Sequence, residues 1–129
     1  MTYKFTKSAE NAIEIANNIA IELGHNYVGT EHLLYGLSSV QNGVAGKVLE
    51  NQNATPDAIL EKIQELIGKG ENQGTTVGLT PRTKRVIENA FREAKKLGSD
   101  YIGTEHLLIG IMREGDSVAV RIMVELNVD

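Results

Sequence analysis

The sequence has no cysteine, only two prolines, and few aromatic residues, at 5% of the chain. The missing cysteines exclude disulfides, thiolate metal sites and a cysteine nucleophile. A chain of 129 residues must then rely on its core, and at this length it can bury roughly two thirds of its unfolded surface. No apolar run approaches the roughly 18 residues that a membrane span needs. The opening Met1-Thr2-Tyr3-Lys4-Phe5-Thr6 lacks the apolar stretch of a signal peptide. Positive charge is short as well: 13 Lys and Arg against 17 Asp and Glu leave a net charge of −4, which argues against a nucleic-acid footprint over the whole chain. Residues 1–68 hold four basic and eight acidic side chains, while residues 79–129 hold eight of each. Arg82, Lys84 and Arg85 are bunched there, as on a solvated helix face. What remains, 41% hydrophobic and 23% charged, is the composition of a globular domain and suits a reducing compartment.

Self-comparison is the most informative test. At an offset of 74 residues, Leu23-Gly24-His25-Asn26-Tyr27-Val28-Gly29-Thr30-Glu31-His32-Leu33-Leu34-Tyr35-Gly36-Leu37 falls on Leu97-Gly98-Ser99-Asp100-Tyr101-Ile102-Gly103-Thr104-Glu105-His106-Leu107-Leu108-Ile109-Gly110-Ile111, and ten of these fifteen positions are identical. The same offset places Phe5-Thr6 on Leu79-Thr80, Ala16 on Ala90, Val44-Ala45 on Val118-Ala119 and Asn53 on Asn127. The chain is a duplication.

Each copy reads as helices. Thr6 is an N-cap, followed by Ala9, Ala12, Ile13, Ala16, Ile19, Ala20 and Leu23 at helical spacing, with Gly24 as the stop. The second copy repeats this plan with Thr80, Pro81 and Gly98. Thr30 and Thr104 are expected to cap a second helix carrying the paired leucines. A third helix is expected from about Val44 to Glu50, and its counterpart from about Ser117 to Leu126. Thr55-Pro56 opens a fourth, with Ile59, Ile63, Leu66 and Ile67 as its buried stripe. The predicted architecture is all-α: seven helices, four then three, in two pseudo-symmetric units at 1–67 and 79–129 that form one domain. Residues 68–78, rich in glycine and polar side chains, are predicted to be a flexible linker. The offset carries Thr55 onto the last residue, Asp129, so the second copy lacks a counterpart of the fourth helix: either the chain is a fragment of a longer protein, the expected case because a missing helix leaves apolar surface uncovered, or the duplicate has lost that helix.

Several chemistries fail on spacing. Gly46-Lys47 has Gln41 where a phosphate loop needs glycine, and Val48 where it needs Ser or Thr. His25, His32 and His106 form no metal pattern, and the equivalent positions of His32 and His106 predict the same structural hydrogen bond in each copy. No serine carries a nucleophile-elbow signature. Glu31 and Glu105 sit in the first turn of their helices, where the helix dipole stabilises a carboxylate by about 0.3–1 kcal/mol. A carboxylate fixed there is also a rigid acceptor for a guanidinium group. Two carboxylates could suggest glycoside hydrolysis, but equivalent positions predict similar environments rather than a distinct acid and base. Thr6 and Thr80 open helices whose N-termini either are simply capped or suit a phosphate. The expected sites pair Thr6 with Glu31 and Thr80 with Glu105, one pair per copy.

The doubled LG-x-x-Y-[VI]-GTEHLL block, the Phe5-Thr6 opening and the Leu79-Thr80-Pro81-Arg82 restart resemble the N-terminal domain of ClpC-type AAA+ unfoldases, over nearly the whole chain. That resemblance implies an all-α double Clp repeat that is not itself an enzyme. It implies a cytoplasmic, ring-forming parent ATPase that uses ATP in its other modules and threads proteins into the ClpP peptidase. The implied partners of this domain are adaptors of the MecA kind and substrates marked by phosphoarginine, with no nucleic acid and no membrane; the isolated domain is expected to be a monomer and the parent a hexamer. The family's binding residues map onto Glu31 and Glu105 for the guanidinium and onto Thr6 and Thr80 for the phosphate. One departure is Gly78-Leu79 before Thr80, where the family's second copy often has a polar or aromatic pair, on the rim of the expected second site. A module that only docks adaptors, and a small hydrolase using the two glutamates, are the competing readings. No metal and no cofactor are expected in the domain.

Overall fold

The computed structural model describes residues 2–74 and 77–129; Met1, and Thr75 and Thr76 of the expected linker, lie outside them. Seven helices are found among the described residues: α1 (Lys7–Glu22), α2 (Thr30–Ser39), α3 (Val44–Asn51), α4 (Pro56–Leu66), α5 (Pro81–Lys96), α6 (Thr104–Glu114) and α7 (Val118–Glu125). Thr6, Thr55 and Thr80 cap as their positions predict, accepting from the backbone N–H groups of Ala9, Ala58 and Thr83 at 3.1, 3.2 and 3.0 Å. Each bond satisfies a donor that the helix leaves without a partner. Gly24 and Gly98 follow α1 and α5 at φ of 75° and 76°, a conformation in which a Cβ is costly.

Two helix starts depart from expectation. The caps of α2 and α6 are Gly29 and Gly103, not Thr30 and Thr104. Glycine has no side chain to cap with. Instead the His32 and His106 rings fold back, and each accepts on Nδ1 from that glycine's N–H at 2.9 and 2.8 Å. The equivalent histidines thus do make the same bond. This frees both threonines to cap the other copy. Thr30 Oγ1 accepts from Ala119 N–H in the first turn of α7 at 3.2 Å, and Thr104 Oγ1 accepts from Ala45 N–H in α3 at 3.3 Å.

Within each copy, α1 packs most extensively on α2, and α5 on α6. Gly36 and Gly110 allow those approaches, because a Cβ at either would press on the backbone carbonyl of Ala12 or Val86. One apolar cluster runs through both copies, from Leu33, Leu37, Ile59 and Ile63 to Leu107, Ile111 and Ile122. Helix α4 lies on α2 and α7. Ile122 of α7 is fully buried, whereas its counterpart on α3, Val48, is 39% exposed. Similarly Ser38 is buried while its counterpart Met112 is 54% exposed. Ile67, expected in the buried stripe, is also exposed: it keeps the spacing of Ile59 and Ile63 but sits just past the last residue of α4 as its C-cap, at φ of −112°.

The segment after α4 follows the first copy. Gly70 N–H donates to Leu23 O at 2.8 Å, and Asn72 N–H to Gly24 O at 2.9 Å. Gly78–Leu79 then forms a two-residue strand, β2, parallel to β1 (Tyr27–Val28), pairing Tyr27 with Gly78 and Val28 with Leu79. A single bridge between Phe5 and Ile102 is its mirror in the other half. Strands this short leave no alternation in a sequence to read.

Candidate functional site

Those two pairings decide which threonine meets which glutamate. Thr80 N–H donates to Val28 O at 3.1 Å, and Thr83 Oγ1 donates to the same oxygen at 3.0 Å. Thr80 therefore stands beside the loop that leads into Glu31. In the mirror arrangement, Thr6 N–H donates to Ile102 O at 2.9 Å, beside the loop that leads into Glu105. The expected pairing within each copy is wrong. The chain crosses between copies because β2 and the segment before α1 each pair with the other copy's loop. Gly78-Leu79 consequently borders Glu31's site, not that of Glu105.

Around Glu31 lies a cleft of about 440 Å³. Tyr27, Gly29, Thr30 and Glu31 form one side, Thr80 and Arg82 from the start of α5 another, and Asp116, Ser117, Val118 and Arg121 from the start of α7 a third, with Ile67 at the edge. Glu31 is 3% exposed. Its carboxylate curls back over Gly29, filling the space of a Cβ there, and accepts from the Tyr27 hydroxyl on Oε2 at 3.2 Å. Burial holds the Glu31 carboxyl above its usual range, opposed by its own backbone N–H, by Tyr27 and by the nearby His25. Burial and then the Glu31 charge push the Tyr27 phenol up to about 12. A carboxylate taken out of water in this way gains most from a cation placed against it. Arg82 is steered across the cleft by donating from Nη1 to the Asp116 backbone carbonyl.

Glu105 repeats the local backbone and little else. Its carboxylate also curls over its glycine, Gly103. It is only half-buried, and Tyr101, the counterpart of Tyr27, is 51% exposed. The similar environments expected of the two glutamates are not found. The offset that relates the copies puts Ser8 where the first cleft has Arg82, and Lys47 where it has Arg121. All four expected residues thus fall into two crossed pairs, Thr80 with Glu31 and Thr6 with Glu105.

Sequence reasoning missed Tyr27, Arg82, Asp116 and Arg121. Arg82 reads in sequence as part of a solvated bunch, and only the packing of α5 and α7 beside the Glu31 loop brings these residues to one cleft. Among the described residues no group of three or more His, Asp or Glu is placed to hold a metal, and no helix is long and apolar enough to cross a membrane.

The sequence profile of the Clp repeat (R) N-terminal domain family matches residues 4–126. The negative regulator of genetic competence ClpC/MecB of Bacillus subtilis is 42% identical over 125 residues, which are 97% of this chain and 15% of that protein. The ATP-dependent Clp protease ATP-binding subunit ClpC of Staphylococcus aureus is 42% identical over 126 residues, 98% of this chain and again 15% of that protein. The chain thus spans about 15% of the length of these relatives. Among solved structures, the N-terminal domain of the chaperone ClpD from Arabidopsis thaliana superposes with a TM-score of 0.82 at 27% identity, covering 98% of this chain and 89% of that one. The Glu31 cleft and the crossed pairs are therefore built on a double-repeat scaffold shared with these proteins, and the chain belongs to the Clp repeat (R) N-terminal domain family.

Proposed function

We propose that this chain recruits substrate and adaptor proteins for a ClpC-type, ATP-dependent unfoldase that feeds ClpP in the cytoplasm, and that its clefts bind phosphorylated arginine. One observation carries the ligand reading: a buried carboxylate, Glu31, shares a cleft with the N-terminal ends of α5 and α7 and with Arg82 and Arg121. Phosphoarginine carries a guanidinium and a phosphoryl group on one short side chain. The guanidinium would lie on Glu31 through charge-assisted hydrogen bonds. The phosphoryl group would lie towards Thr80, the helix N-termini and the arginines. Glu105 and Thr6 would form the second, less enclosed site. The names of the 42% identical relatives, one of them an ATP-binding subunit of an ATP-dependent Clp protease, support the wider reading; in it, ATP hydrolysis, hexamer assembly and ClpP docking would belong to the rest of the parent protein.

The test is calorimetric titration of the chain with phosphoarginine, arginine and inorganic phosphate. Phosphoarginine should bind at two sites, the Glu31 site tighter, with arginine and phosphate each far weaker. Glu31→Ala should abolish the tighter site and Glu105→Ala the other. Thr80→Ala should weaken the Glu31 site alone, since the pairs are crossed. A Glu31→Ala/Glu105→Ala double variant that binds phosphoarginine like the wild type would leave the carboxylates as helix-start residues and the domain as an adaptor-docking module.

A further inference from the structure

Among the buried positions at which the two copies differ is one beside the Glu31 loop that the proposed ligand does not touch. His25 occupies it in the first copy and Ser99 in the second. His25 Nδ1 lies 2.7 Å from His32 Nε2, and His25 Nε2 lies 2.7 Å from the backbone carbonyl of Gly68. His32 Nδ1 in turn accepts from Gly29 N–H at 2.9 Å. Every proton in this relay has a fixed place. A backbone N–H can only donate, so His32 carries its proton on Nε2; that proton points at His25 Nδ1, and His25 donates from Nε2 to Gly68. The chain runs from an obligate donor to an obligate acceptor through two neutral rings.

An added proton cannot be accommodated. On His25 it sits on Nδ1 and faces the His32 N–H, donor against donor. If His32 switches tautomer to accept it, Gly29 N–H loses its acceptor inside the fold. One of the three bonds must break. We propose that His25 is a positioning residue for the Glu31 cleft, acting as a proton-sensitive latch that ties the segment after α4 to the start of α2.

Three further contacts connect the latch to the cleft. The His25 ring stacks on Tyr27, centroids 5.6 Å apart and planes 6° apart, and Tyr27 holds Glu31. The N–H anchored by His32 belongs to Gly29, over which the Glu31 carboxylate curls. Gly68 follows Ile67, which lines the cleft edge. The titratable and charged groups beside His25 are His32 and Glu31 of α2, Tyr27 of β1, and Lys69 and Glu71 of the segment after α4. Burial and then His25 push the His32 ring down to about 4, which keeps His32 neutral near neutral pH, as its place in the relay requires.

The latch rests on the phosphoarginine reading only for its effect on ligand, so its test has two arms. The first uses NMR on the whole chain. Ring nitrogen shifts should show His32 protonated on Nε2 and not on Nδ1 at about pH 7.5. Between about pH 7.5 and 5, hydrogen-exchange protection at Gly29 and Gly70 should fall by about tenfold or more, while Gly103, bonded to His106 with no second histidine, changes less than about twofold. His25→Ser, which copies the second half, should remove this pH dependence. Protection at Gly29 and Gly70 that tracks Gly103 across the range would overturn the latch, as would a proton on His32 Nδ1. The second arm is phosphoarginine binding at neutral pH, where His25→Ser should weaken the Glu31 site by about tenfold and spare the Glu105 site. Equal binding by variant and wild type at the Glu31 site would overturn the positioning role. Binding by neither protein would sink the phosphoarginine reading and leave the latch to be judged by exchange.

Discussion

Glu31 and Glu105 begin equivalent helices, curl over equivalent glycines and precede histidines that make equivalent bonds. Even so, Glu31 is 3% exposed and held by Tyr27, while Glu105 is half-buried and Tyr101 stands 51% exposed. The local backbone is copied because Gly, Glu and His of each Gly-Thr-Glu-His run meet within a single turn, the histidine accepting from the glycine N–H and the glutamate curling over that glycine. The surroundings are not copied, because they come from elsewhere in the chain. The first copy has His25 under Tyr27 and the segment after α4 running beside it; the second has Ser99. Around these glutamates the duplication keeps the turn and lets the surroundings diverge.

The same contrast holds for the apolar faces, and it gives the largest expected effect. Ile122 is fully buried on α7, the helix that α4 covers, and its counterpart Val48 on α3 is 39% exposed. Ile122→Ala should destabilise the chain by about 2–5 kcal/mol, the range for a large core side chain cut to alanine. Val48→Ala should cost about 0.5 kcal/mol or less, as at surface positions. Urea denaturation of both variants checks this. Equal losses would mean that α4 does not set the difference between the halves.

Much of this was legible in the sequence, for reasons that can be stated residue by residue. Thr6, Thr55 and Thr80 announce helix starts because a cap is a bond over three residues, visible in a short window. The 74-residue offset made the helix plan of one half a check on the other. What the window could not show was which half each piece would fold against. The crossed pairing of Thr80 with Glu31 depends on two-residue strands that bring residues about fifty apart together. Ile67 misled because the apolar spacing continued one residue beyond the helix. Arg82 reads in sequence as part of a solvated bunch and Arg121 carries no sequence signal; only the packing of α5 and α7 beside one loop brings both to the cleft.

Acid should then separate the halves. The His32 ring is held down at about 4 in the folded chain against an ordinary 6.5, so the unfolded chain binds more protons between those values. Its contribution is fully present above pH 6.5 and is lost as pH falls towards 4, amounting to about 2 kcal/mol by about pH 5. Glu31, whose carboxyl is raised, acts with the opposite sign: the folded chain takes up a proton more readily there, which partly offsets the loss. Denaturation at about pH 7 and 5 should show a net loss on acidification, shallower in His25→Ser because one of the two causes that depress His32 is removed. A steeper loss in that variant would contradict a role for His25 in holding the His32 ring down.

The smallest effect tests how the copies are joined. Thr30 and Thr104 each cap the third helix of the other copy, α7 and α3, at 3.2 and 3.3 Å. Removing a cap hydroxyl costs about 1 kcal/mol, and these two are buried, so a freed Ala119 or Ala45 N–H has no water to turn to. Thr30→Val and Thr104→Val keep the methyl group and volume and remove only the acceptor. Each should cost about 1 kcal/mol in urea denaturation, and the double variant about twice that, since the two bonds share no partner. Hydrogen exchange tells these caps from ordinary ones. Thr30→Val should speed exchange at Ala119 in the second copy, and Thr104→Val at Ala45 in the first, while the starts of α2 and α6 keep their protection through His32 and His106. Faster exchange at the variant's own helix start instead would mean that the threonines cap locally and that the copies are held by apolar packing alone.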